Sequence, residues 1–280
     1  LAPEHAHLAS RCFVHLSDLH LNDEMPESFL DKIVRRTLKE KPDAILFTGD
    51  FLCHSQLKNP KRLLNFLCRL QAPHGSFCVL GNHDYAQYIS CDSKGRFTAR
   101  CQPHPLKAIG LGLQTLVRPP LKSLSIDPQI QGLPPHSELI QLLAKTPFTV
   151  LDNQTFTLPI GLNITGLAEL SVGRLRPQTA FCGYQKHLPG IVLLHNPDAI
   201  ASVKDYPGEY ILAGHTHGEQ IHLPFWPSLS KKLTRLVDST YTRGAYTLGQ
   251  KQIYVTRGLG SPKPFRLFSA PEIVVIRTEK

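Results

Sequence analysis

The sequence predicts an α/β protein built on buried sheets, and three observations carry that prediction. Nine apolar, β-branched-rich runs have strand length, helix-like patterns separate several of them, and five of the runs end in polar residues able to bind a metal. Continuous apolar runs suit strands covered on both faces, and their alternation with helices suits an α/β architecture.

In chain order, CFVHLSD ends in Asp18, with His20 just beyond. ESFLDKIVRRTLKE follows, entered through Pro26 with acidic residues early and basic ones late, as a helix macrodipole favours. AILFTGD ends in Asp50 on a Gly-Asp turn, and NPKRLLNFLCRL carries apolar residues at helical spacing. FCVLGNHD delivers Asn82, His83 and Asp84. FTVLDN and LNITGL come next, GIVLLHN ends in His195, and YILAGHTHG ends in His215 and His217. IYVTRGLG and EIVVIRT complete the set, and no internal repeat is visible.

Composition bounds the rest. The chain has 280 residues, 41% hydrophobic and 19% charged, with 23 prolines scattered through loops, so it is globular and expected to form a single domain over 1–280. No run approaches the ~20 apolar residues of a membrane span, and no signal-peptide pattern opens the sequence. The first residue is Leu1, which leaves room for an upstream anchor or processed signal. Seven cysteines, an odd number with no C-x-x-C pair, argue against a disulfide framework or structural zinc and for a reducing compartment. Formal net charge is +9, and between Lys231 and Arg266 eight basic residues face only Asp238. Such an excess is usually a solvated surface, but it also attracts nucleic acid, anionic lipid or a phosphorylated substrate.

The five polar endings decide the chemistry. In open α/β sheets ligands gather outside the carboxyl ends of the strands, so such endings converge. Asp18 and Asp50 offer carboxylates, His20, His195, His215 and His217 imidazoles, and Asn82 an amide oxygen. An O/N set without sulfur suits Mn²⁺, Fe or Zn²⁺, and seven ligands are too many for one tetrahedral ion. Two divalent ions fit better. A carboxylate on a tight turn, as at Asp50, bridges cations roughly 3.5–4 Å apart, and such a pair activates water and clamps phosphoryl oxygens for hydrolysis of a phosphate ester or anhydride. Each motif alone is weak: S-D-L-H arises by chance, Gly-Asp and H-N-P are ordinary turns, and Asn82 would be a cap. Alternate histidines in GHTH do not share one core face, and the full ordered set is poorly explained by coincidence.

Those blocks, SDLH, TGD, GNHD, HNPD and GHTHG, resemble the five signature blocks of the calcineurin-like metallophosphoesterase superfamily in the same order, spanning Ser17 to Gly218. The resemblance implies a double-sheet α/β sandwich flanked by helices, with a dinuclear site at one edge. It places Asp18, His20, Asp50 and His217 on one metal, and Asp50, Asn82, His195 and His215 on the other. It sets His83 toward the scissile phosphate, with Asp84 holding that imidazole. A histidine beside a bound phosphate donates to developing negative charge or protonates the leaving oxygen, and a neighbouring carboxylate fixes its tautomer.

YVTRGLGSPKPFRLFSAPEIVVI and VLDNQTFTL with LNITGLAEL resemble a bacterial, membrane-associated branch of the superfamily, the hydrolases that cleave UDP-2,3-diacylglucosamine to lipid X and UMP in lipid A biosynthesis. That implies an acylated nucleotide-sugar substrate, Mn²⁺ as the favoured metal, and the cytoplasmic face of the bacterial inner membrane, reached peripherally or through an upstream anchor. Two departures stand out: Glu219 where members often have glycine, and Glu169 where aspartate is common. Ser90 to His136 reads as an insertion, basic at both ends and apolar in LKAIGLGLQTLV, expected to form a lid or else a surface excursion. LPFWPSLSKKLTRLV, with Phe225, Trp226, Lys231, Lys232 and Arg235, reads as an interfacial helix on a membrane surface or as a helix packed on the core. Arg174 and Arg176 are candidate grips on a substrate phosphate or members of a solvated turn. Histidines outside the blocks, His54 and His222 among them, read as surface or core residues.

Two other functions stay open at this level. A soluble phosphodiesterase or nuclease would use the same metals, yet few aromatics interleave with the basic residues, so nucleic acid is not favoured. A non-catalytic metal-binding scaffold would not need the intact ligand set and His83, and no protein partner is implied.

Overall fold

Phe13, Leu46 and Phe77, from three neighbouring strands, share one apolar layer with Ile164, Leu193 and Leu212 from three others. This layer joins two sheets face to face. The protein is seen here as a computed structural model that describes residues 8–92, 94–100, 121, 123–222, 236–237, 240–262 and 265–279.

Each of the nine apolar runs becomes a strand. In the first sheet β1 (Cys12–Leu16), β2 (Ala44–Thr48), β3 (Ser76–Val79) and β7 (Phe148–Val150) lie parallel in that order, and β14 (Val274–Arg277) pairs antiparallel to β1. In the second, β9 (Leu162–Gly166), β10 (Gly190–Leu193), β11 (Tyr210–Ala213) and β13 (Lys251–Val255) are parallel. Two strands absent from the sequence reading, β8 (Gln154–Leu158) and β12 (Gly244–Leu248), close its edges as hairpin partners of β9 and β13. Both alternate exposed and half-buried residues, so neither carries the continuous apolar run of a strand covered on both faces.

Helices cover the outer faces. α1 (Glu27–Lys39) follows Pro26 and buries Leu30, Ile33 and Val34. α2 (Pro60–Cys68) starts where the Asn59 side chain accepts the amide of Arg62, and it buries Leu63, Phe66 and Leu67. These residues join Val14, Ile45 and Phe47 in one cluster. On the far face Phe181, Ile200 and Val203 pack on Val192, Ile211 and Val255. The expected double-sheet sandwich flanked by helices is therefore the fold.

A third sheet of β4 (Ile89–Cys91), β5 (Arg96–Ala99) and β6 (Ser125–Ile126) occupies the described part of the stretch read as an insertion. Its far end returns beside GNHD: the His136 amide donates to Asp84 O at 2.9 Å and that of Ala86 to Pro134 O at 3.1 Å. There α3 (Ser137–Leu143) begins and buries Leu139, Leu142 and Leu143. LKAIGLGLQTLV lies outside the described residues, as do Phe225, Trp226, Lys231, Lys232 and Arg235. Among the described residues no helix is long and apolar enough to cross a membrane, and six cysteines are free thiols.

Candidate metal centre

The five loops that leave β1, β2, β3, β10 and β11 at their carboxyl ends are stitched to one another by main chain. Amides of Asp18 and His20 donate to Gly49 O and Asp50 O at 2.9 and 3.0 Å, and that of Gly214 to His195 O at 3.0 Å. The amide of His215 reaches the Asp18 carboxylate at 3.0 Å, and that of His83 reaches Asp50 Oδ1 at 2.9 Å. Gly81 makes the closest approach possible: a Cβ there would fall on the Asp50 carboxylate and 2.7 Å from its amide nitrogen.

Asp18, His20, Asp50, His215 and His217 all have φ between 45° and 72°. Left-handed backbone costs a non-glycine residue roughly 1–2 kcal/mol. Five such residues among seven candidate ligands mean that the fold carries strain in order to aim these side chains.

They are aimed at one another in burial. Asp18, His20, Asp50, Asn82, His195 and His217 expose at most 7% of their surface. His20 Nδ1 donates to Leu52 O at 3.1 Å, His195 Nδ1 to Thr48 O at 2.7 Å, and His217 Nδ1 to Gly260 O at 3.1 Å. With Nδ1 protonated, all three rings turn Nε2 inward, and in His20 and His217 that nitrogen is a bare lone pair. The Nε2 atoms of His20 and His217 face each other at 3.2 Å, two acceptors with no donor between them. Asn82 Nδ2 is held by Ile89 O at 2.9 Å, which turns Oδ1 to within 3.2 Å of His195 Nε2 and 3.0 Å of His215 Nδ1. Asp50 Oδ2 lies 3.3 Å from both His20 Nε2 and His195 Nε2, between the two clusters.

Acceptors crowded together in burial repel unless a cation joins them. Burial drives His20 and His217 well below the usual histidine range and His215 to about 3, so these rings are neutral. At His195 burial opposes charge, yet Asp50 raises the ring well above its ordinary value. Asp18, His20 and His217 form one group with metal-ligand spacing and Asp50, His195 and His215 another, and a third, of His20, Asp50 and His83, shares a member with each. The donor set therefore fits two divalent ions.

His83 sits beside the first group, its ring 4.6 Å from that of His20. The family pattern led us to expect Asp84 to hold this imidazole, and the structure corrects that. Asp84 grips backbone instead, accepting the amides of Asp50 at 2.7 Å, Gly81 at 3.0 Å and Leu52 at 3.0 Å. The partner of His83 Nδ1 is the amide of His54 at 2.9 Å. Sequence reasoning left His54 with the surface and core histidines. Its one signal is its place four residues after Asp50, in a loop whose left-handed turn at φ 52° no local pattern announces.

Arg266, also unassigned from sequence, approaches His217 Nδ1 at 3.2 Å while donating to Arg257 O at 2.8 Å, Ser269 O at 3.1 Å and Gly260 O. Arg174 and Arg176 are not brought to the cluster by a described contact. The first pairs with Asp152 at 2.8 Å, and the second folds onto the carbonyls of Gly173 and Leu175.

The family profile described as calcineurin-like phosphoesterase matches residues 13–219. The chain belongs to that family. A protein named UDP-2,3-diacylglucosamine pyrophosphatase LpxG from Chlamydia muridarum is 41% identical to it, over 99% of this chain and 86% of the relative. Its namesake from Chlamydia trachomatis is 40% identical with the same coverage, and the phosphodiesterase YaeI of Escherichia coli is 26% identical over 93% and 79%. The metal-dependent hydrolase expected from the signature blocks stands with the family.

Proposed function

We propose that this chain hydrolyses the pyrophosphate of UDP-2,3-diacylglucosamine, releasing UMP and 2,3-diacylglucosamine 1-phosphate, with two divalent cations, Mn²⁺ favoured, at the cytoplasmic face of the bacterial inner membrane. The observation that carries the reaction class is the pair of bare imidazole nitrogens of His20 and His217 meeting at 3.2 Å beside the shared Asp50 carboxylate. The observation that supports the substrate is the similarity, over 99% of this chain, to pyrophosphatases named for it.

Asp18, His20, Asp50 and His217 would hold one cation, and Asp50, Asn82, His195 and His215 the other. When bound, the pair supplies charge to phosphoryl oxygens and acidifies a water at neutral pH. Asp50 serves both sites because its Oδ2 is equidistant from His20 and His195. His83 is kept neutral, its pKa pushed down to about 4 by burial. Since its Nδ1 accepts the His54 amide, its proton sits on Nε2, where it donates to a phosphoryl oxygen or to the departing phosphate. Asp84 acts one step back by fixing the loops that carry Asp50, Asn82 and His83.

The test compares Mn²⁺-reconstituted protein on UDP-2,3-diacylglucosamine, bis-p-nitrophenyl phosphate and single-stranded DNA. The proposal expects UMP release from the first, lost in Asp50→Ala. Equal or better turnover of DNA overturns the lipid assignment.

A further inference from the structure

Among the described residues the two most exposed large hydrophobic side chains are Phe268, at 67%, and Phe265, at 57%. They flank Arg266 and Leu267 in one short loop. Scattered exposed apolar residues need no explanation, but two phenylalanines this close, beside a candidate active centre, do.

The loop that carries them is firmly tied. The Leu267 amide donates to Gln220 O and the His222 amide to Leu267 O, both at 2.9 Å, and Gln220 Nε2 donates to Phe265 O at 2.9 Å. Arg266 spends its guanidinium on the carbonyls of Arg257, Gly260 and Ser269, and Ser269 Oγ donates to His217 O at 2.6 Å. The two middle residues are thus anchored to the backbone around His217, and the two outer rings are left in solvent. Phe268 even adopts a φ of 53°, a left-handed geometry that a phenylalanine rarely takes, while its ring gains no cover from it. A fold that strains a residue and still leaves its ring in water has placed that ring for contact with something else.

We propose that Phe265 and Phe268 dock this chain on an anionic lipid surface beside the metal centre, which rests on the lipid-linked substrate proposed above. Charge selects this occupant: the chain carries +9, and its sequence from Lys231 to Arg266 holds eight basic residues against one acid, Asp238. Aromatic rings entering the boundary between headgroups and acyl chains, helped by nearby cations, give reversible attachment to negatively charged bilayers. Arg266 supplies the link inward, because from its place between the two rings it donates to Gly260 O, the same carbonyl that accepts from His217 Nδ1. A substrate whose acyl chains stay in the bilayer then presents its pyrophosphate next to the ligands.

The experiment is vesicle flotation of the full chain without substrate, using phosphatidylcholine vesicles with and without phosphatidylglycerol. Wild type floats with the anionic vesicles and little with the neutral ones. Phe265→Ser/Phe268→Ser weakens that partition by about tenfold or more, as loss of two inserted rings requires. Leu38→Ser, an exposed apolar residue on α1, changes it by less than about twofold. Unchanged thermal melting shows that the double variant folds. The inference is overturned if that variant floats like wild type, if wild type binds neutral vesicles equally well, or if it binds neither. UMP release from detergent-dispersed substrate is measured alongside. Release without docking refutes this inference alone, and docking without release refutes the substrate proposal alone.

Discussion

The backbone amide of His54 donates to Nδ1 of His83 across 2.9 Å. A carboxylate at that position would favour an imidazolium, whereas an N–H donor requires Nδ1 to keep its lone pair. His83 is therefore a neutral ring with its one proton on Nε2, which suits a hydrogen-bond donor better than a group that gives its proton away.

That distinction is measurable. With Mn²⁺ and bis-p-nitrophenyl phosphate, His83→Ala lowers kcat about 10²–10³-fold, the usual cost of one donor to a developing oxyanion. His83→Gln, which keeps an N–H, retains activity at least about tenfold above the alanine variant. Equal loss in both would mean that proton transfer, not donation, is the role.

Asp84 gathers the amides of Asp50, Gly81 and Leu52. In Asp84→Asn one carboxylate oxygen becomes an NH₂ that faces a donor, in a site with no exposure to water. Loss of roughly 2–4 kcal/mol of stability is expected, together with weaker Mn²⁺ binding, read by chemical denaturation and by metal titration. A variant that keeps wild-type stability would contradict this loop-fixing role.

His15 offers a pH test away from the ligands. Its Nε2 lies 2.8 Å from Thr48 Oγ1, its Nδ1 is buried without a partner, and burial pushes its pKa down to about 3. The folded state thus requires a neutral ring, and the unfolded chain binds a proton first as pH falls below about 6.5. Its contribution is complete above that value and is lost progressively toward pH 3. Between pH 8 and pH 5 wild type should lose about 2 kcal/mol more stability than His15→Leu. Parallel pH curves for the two proteins would refute the assignment.

Metal removal should unsettle the centre itself. Without cations the Nε2 atoms of His20 and His217 stay opposed at 3.2 Å in burial, so chelator treatment lowers the melting temperature, and Mn²⁺ restores it by an amount that grows with the logarithm of its concentration over Kd. His20→Leu removes one of the opposed acceptors and melts higher than wild type in chelator, but gains less from Mn²⁺. A melting temperature indifferent to chelator would count against the site.

Much of this was legible before any coordinates. Strands buried on both faces, such as AILFT and GIVL, announce themselves by unbroken apolar runs, and their polar endings mark the site because a parallel sheet gathers such endings at one edge. The hairpin strands at Gln154 and Gly244 did not stand out, because half their residues face water. Nor did the roles of His54 and Arg266, whose contacts run through backbone amides and carbonyls that leave no pattern in side-chain identity. Asp84 shows the same limit. Its acidity was visible, but the three amides that claim it were not.

The most direct measurement is anomalous diffraction from crystals grown with Mn²⁺. Two peaks are expected roughly 3.5–4 Å apart, with Asp50 between them, His20 and His217 on one, and His195 and His215 on the other. A single peak, or density away from Asp50, would contradict the account.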